Sequence, residues 1–118
     1  MKIKALILSL MILTAGCNAF SEEWVLCGRT EEWKMYYDAK SIKTLPNGNK
    51  IITYKNTLFP NAKAVEECDC GKDQMRQLSI TMDDKYVVLN RKFEPIPNDK
   101  TPKDVMFFVA CDQRDRFK

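Results

Sequence analysis

Apolar and polar residues alternate from Met75 to Met82, with Leu78, Ile80 and Met82 on one side and Gln77, Ser79 and Thr81 on the other. That period of two predicts a half-buried strand. Trp24 to Arg29 and Trp33 to Tyr37 are two further short apolar and aromatic segments, separated by Thr30-Glu31-Glu32. Asp38 to Ile42 has the form of a single helical turn, with the Asp38 carboxylate able to accept from backbone N–H groups. Pro46-Asn47-Gly48-Asn49 predicts a turn, because Asn and Gly tolerate positive φ. A strand from Lys50 to Phe59 then stops at Pro60, and Asp83-Asp84 turns the chain into another from Lys85 to Phe93. Pro95 to Asp99 is expected to be a loop, since Pro removes ladder donors. Thr101-Pro102-Lys103-Asp104 is a helix start: a Thr cap, Pro at the first helical position, an acid following. The apolar run Val105–Cys111 also suits a buried strand, and the cap decides for a helix. Val105, Phe108 and Val109 recur at i, i+3 and i+4, so this stripe should lie on the sheet. The sum is one α+β domain on an antiparallel sheet.

The N-terminal apolar run does not belong to that fold. Ala5 to Leu13 is interrupted only by Ser9, follows Lys2 and Lys4, and precedes the small residues Thr14, Ala15 and Gly16. It is shorter than the ~20 residues a spanning helix needs and has the make-up of an export signal. Leu13-Thr14-Ala15-Gly16-Cys17 is similar to a bacterial lipobox, in which the Cys17 thiol would take diacylglycerol, although Thr14 stands where Leu is usual. A cut after Ala19 is the alternative. The expected organisation is a removed signal over 1–16, a short tether over 17–22 and a single domain over 23–118. Asn18 is not the Asp that marks inner-membrane retention, so a lipoprotein of the outer membrane, facing the periplasm or the cell surface, is expected.

At 118 residues the chain has room for one domain. Its 19 basic and 16 acidic residues give +3, which falls to +1 when Lys2 and Lys4 leave with the signal. Both signs are interleaved, which argues against a nucleic-acid partner.

Five cysteines, Cys17, Cys27, Cys68, Cys70 and Cys111, are an odd number for an exported chain. Lipidation of Cys17 leaves four for two disulfides. A Cys68–Cys70 bridge would be strained. Among three possible pairings, Cys70–Cys111 with Cys27–Cys68 is favoured, each closing a long loop. A four-cysteine zinc site would show two close pairs, whereas Cys27 and Cys111 stand alone. Cys68-Asp69-Cys70 is likewise not the usual Cys-x-x-Cys of redox pairs.

Catalytic chemistry is not indicated. There is no histidine, and no nucleophile elbow, phosphate loop or metal motif; no cofactor is expected. The adjacent acids Glu22-Glu23, Glu31-Glu32, Glu66-Glu67 and Asp83-Asp84 would point to opposite faces of a strand and are read as solvated turn charge. Trp24, Trp33, Tyr36, Tyr37 and Tyr86 are read mostly as core or half-buried sheet. Ligand-binding residues are not legible.

Tyr36, Tyr37, Asp38, Ser41 and Ile42, the Asn-Gly turn, Asp69-Cys70, Pro95-Ile96-Pro97 and the closing Val109-Ala110-Cys111 together resemble the surface-adhesin protein E family. The resemblance implies an antiparallel sheet of five or six strands with a C-terminal helix. It also implies a small envelope protein, with a dimeric namesake that binds host matrix and serum proteins; Cys27 and Cys68 are not part of that pattern. An envelope-anchored binding protein, adhesin-like and held by lipid on Cys17, is therefore expected. A periplasmic lipoprotein that inhibits or assists another envelope protein is the alternative.

Overall fold

The computed structural model describes residues 22–98 and 100–113; the expected export signal and the expected lipidation site Cys17 lie outside the described residues. The chain forms an antiparallel meander of β1 (Trp24–Arg29), β2 (Lys34–Thr44), β3 (Lys50–Asn56), β4 (Ala62–Asp69), β5 (Gln74–Met82) and β6 (Lys85–Val88). A two-residue β7 (Glu94–Pro95) returns to β5, and the helix α1 (Pro102–Ala110) closes the described chain. Sequential strands joined by short turns make this order the simplest one available.

One face of the sheet carries Met35 and Tyr37 of β2, Ile52 and Tyr54 of β3, Ala64 and Cys68 of β4 and Met75 of β5. α1 buries Met106, Phe107, Phe108, Val109 and Ala110 against it, lying over β1, β2 and β3. The buried stripe is therefore wider than Val105, Phe108 and Val109, and Val105 is only half-buried. Gly28 on β1 lets the helix start come close: a Cβ there would lie 2.3 Å from the Pro102 Cγ and 2.9 Å from its Cβ. Entry into α1 is held by Asp104, fully buried, whose Oδ1 accepts from the Asn98 N–H (3.0 Å) and Oδ2 from the Lys100 N–H (2.8 Å). Cys111 caps the far end and bonds to Cys70 (Cα–Cα 5.7 Å), as favoured from the sequence.

The second expected bridge is absent: Cys27 and Cys68 are free thiols. Cys27 lies in the β1 bulge, opposite Met35, which pairs with Asn56; Cys68 on β4 pairs with Lys50. They therefore sit at opposite ends of β3 and three strand spacings apart. That is about 14 Å across and roughly 20 Å along the strands, far beyond the reach of a disulfide.

Other expectations are corrected by pairing. Asp38–Ile42 is not a helical turn but an irregularity within β2, between Asp38 and Lys43. The carboxylate nonetheless caps backbone donors, Oδ1 accepting from Glu23 N (2.9 Å) and Lys40 N (3.0 Å). The Ser41 hydroxyl donates to the Asp38 carbonyl (2.7 Å) and accepts from Thr53 N (2.8 Å), stitching the bulge to β3. The strand expected to run to Phe59 ends at Asn56. β4 has no counterpart among the elements expected from the sequence. The strand expected over Lys85–Phe93 ends at Val88, where Asn90 takes a φ of 43° and Leu89 and Asn90 N–H both turn to the Leu78 carbonyl (2.8 and 3.1 Å). Leu78 is the extra residue in the irregularity opposite Val65 and Glu66. The alternation expected through it consequently slips, and Ser79 is buried.

Candidate functional site

Glu66 and Glu67 are not turn charge. Both lie in β4, with relative exposures of 1% and 3%, and alternation sends them to opposite faces. Glu67 stands on the face away from α1, where Arg76 donates to its Oε1 through Nε (2.9 Å) and Nη2 (2.8 Å), and Asn49 Nδ2 donates to Oε2 (2.8 Å). Burial raises the cost of its charge, but these donors outweigh it and hold the carboxyl below its ordinary pKa. Glu66 is placed the other way. Burial dominates, and its pKa is raised although Lys103 and Tyr54 favour the charge.

Around Glu66 the helix-facing side of the sheet is polar. Tyr54 Oη donates to Glu66 Oε1 (3.2 Å) and accepts from Gln77 Nε2 (3.1 Å), while Lys103 Nζ stands 3.5 Å from the same carboxylate oxygen. Above this floor opens a groove of about 630 Å³ between β5, the Arg91–Pro97 segment and the start of α1. Its walls include Met75 and Ile96, and its rim carries Arg91, Lys92, Glu94 and Lys103.

Beside it lies a second, more apolar hollow of about 380 Å³ near the β3–β4 turn, lined among others by Met35, Tyr54, Phe59, Ile80 and Met82. Exposed apolar residues lie at that turn and on β6. Leu58 and Phe59 are 53% and 58% exposed at the turn; Tyr86, Val87 and Val88 are 67%, 51% and 57% exposed on β6. β6 ends the sheet order. Leu89 N–H points to β5, so alternation turns the main-chain groups of Tyr86 and Val88 to the open edge.

On the face away from α1, Lys55 Nζ stands 4.1 Å from the centroid of the Trp24 ring and Lys63 Nζ stands 5.5 Å from it. Lys63 is in turn paired with Glu22, whose carboxyl is lowered by that hydrogen bond. Of the aromatic set, Tyr37 is buried and Trp24, Trp33 and Tyr36 are half-buried; Tyr86 departs from that expectation. Cys70 and Cys111 are brought together. Burial pushes the Cys27 thiol up to about 11 and the Cys68 thiol up to about 12. Among the described residues no group of three or more His, Cys, Asp or Glu could hold a metal ion.

Read as turn charge, Glu66-Glu67 gives no hint of the groove floor. The alternation of Ala64, Glu66 and Cys68 was its available signal. No protein-family model, curated protein or solved structure matches this chain.

Proposed function

We propose that this chain is a cell-envelope lipoprotein, anchored through Cys17, that holds a protein partner without catalysis, in the manner of an adhesin. The observation that carries the reading is the open edge of the sheet. Among the described residues no strand pairs beyond β6, whose outward main-chain groups stand together with exposed Tyr86, Val87 and Val88, a surface that suits an extended partner segment by strand addition. Exposed apolar edges recruit other chains. The export signal and lipobox-like stretch before Cys17 support the location. An antiparallel sheet followed by a helix tied through Cys70–Cys111 is the architecture implied by the resemblance to the surface-adhesin protein E family.

The test is affinity capture from host serum and envelope extract, run in parallel with Tyr86→Lys/Val88→Lys. One dominant partner, lost in the variant while thermal stability is kept, is expected; capture unaffected by the variant would refute the edge as the binding surface. Incorporation of labelled palmitate, abolished by Cys17→Ser, checks the anchor. Cleavage by protease added to intact cells distinguishes surface display from a periplasmic position.

A further inference from the structure

We infer that the groove between β5, the Arg91–Pro97 segment and the start of α1 binds a short acidic peptide segment, its carboxylates on the basic rim and a backbone N–H on Glu66. The inference rests on the protein-binding reading and assigns the partner's chemistry at a second surface. The groove is lined by four cations, Arg76, Arg91, Lys92 and Lys103, against the carboxylates of Glu66 and Glu94, and Arg76 is already paired with Glu67. Lys103 already faces Glu66. Arg91 and Lys92 are exposed and, among the described residues, enter no ion pair. They are unspent positive charge beside a concave surface.

The floor supplies a different chemistry. Glu66 is 1% exposed. Its Oε1 accepts from Tyr54 and faces Lys103, while no hydrogen bond from the described residues reaches Oε2. A carboxyl oxygen held in so little water gains from a donor brought by a ligand. Between rim and floor, Met75 and Ile96 offer apolar contact. A peptide backbone with acidic side chains supplies carboxylates, N–H donors and apolar Cα surface together; a small inorganic anion supplies only the first. The cavity volume lies in the range of ligand pockets. A basic segment would meet the rim cations and be repelled.

The test uses the mature chain with Cys17→Ser and a fluorescein-labelled Gly-Asp-Glu-Asp-Glu peptide, followed by anisotropy at low salt. Saturable binding is expected, weakening as salt is added. Arg91→Ala/Lys92→Ala should weaken it roughly tenfold, the worth of two surface ion pairs, with an unchanged thermal midpoint. Glu66→Gln, which keeps the shape of the floor, should weaken it several-fold, and amide shifts should map to Arg76–Gln77 and Arg91–Ile96. Absence of saturable binding, equal binding of a Gly-Lys-Lys-Lys-Lys probe, indifference to the Arg91/Lys92 variant, or displacement by equimolar free glutarate would overturn the inference. Failure of the probe while Tyr86 and Val88 still govern partner capture would remove the groove alone. Probe binding without any captured partner would instead remove the edge.

Discussion

Two neighbouring glutamates show how one backbone step decides electrostatic fate. Glu67 meets Arg76 and Asn49, whereas Glu66 meets Tyr54 and a lysine at 3.5 Å. Their pH signatures should be opposite. Glu67's folded pKa is lowered from 4.5, so its stabilisation is present above the unfolded pKa and lost as pH falls through the folded one. Glu67→Gln should cost about 1–2 kcal/mol at pH 7, and the deficit should shrink in acid. Glu66's folded pKa is raised. Between 4.5 and that raised value the native state keeps a proton the unfolded chain has released, so stability falls as pH rises through this window. Glu66→Gln should therefore be more stable than wild type at pH 7, an advantage that disappears near pH 4. Urea melts followed by tryptophan fluorescence at both pH values check the pair; parallel pH profiles for the two variants would contradict these assignments.

Among the elements, those with a local signal were legible and those defined by pairing were not. The strand at Trp24–Arg29 and the Asn47-Gly48 turn followed from residues a few positions apart, and Gly48 indeed takes a φ of 90°. β4 escaped because its inward positions are Ala64, Glu66 and Cys68, a sequence without large aliphatics whose burial depends on β3 and β5 on either side. The bulges at Asp38 and Leu78 depend on register with a partner strand, which no local pattern reports. The start of α1 was legible, but its energetic anchor is tertiary. Asp104 gathers the Asn98 and Lys100 N–H groups from the incoming loop, so Asp104→Ala removes a buried acceptor from two part-buried donors. The expected cost is about 2–3 kcal/mol, read as a lower midpoint in a urea melt. Gly28→Ala should also destabilise, by about 1–3 kcal/mol through overpacking, because its Cβ would enter the Pro102 ring. A cavity-forming Pro102→Ala in the same chain should restore part of that loss, separating a clash from a backbone effect.

At the scale of the whole molecule, covalent bracing is asymmetric. The helix half of the domain is tied by one disulfide across 41 residues, while the edge at β6 depends on its pairing with β5. The chain-entropy model assigns about 4 kcal/mol to a loop of that length, with strain subtracting from it. Cys70→Ala/Cys111→Ala should therefore lower stability by about 3–4 kcal/mol and loosen α1 first, because the bridge holds its C-terminal cap to the end of β4. The two remaining thiols should behave as inert core groups even in the oxidising compartment proposed for the chain. Cys68 is fully buried, and Cys27 donates to the Met35 carbonyl (3.3 Å). With thiol pKa values of about 11 and 12, the reactive thiolate at pH 8 is on the order of one part in a thousand or less. Separation by most of the sheet prevents them from oxidising to one another without unfolding. The Cys17→Ser protein should thus show no rapid thiol with an aromatic disulfide reagent in buffer and two in denaturant. Non-reducing peptide mapping should return the Cys70–Cys111 link alone. A Cys27–Cys68 link in protein purified from the periplasm would mean that β1 and β4 meet in the functional state, and that the strand order itself is different.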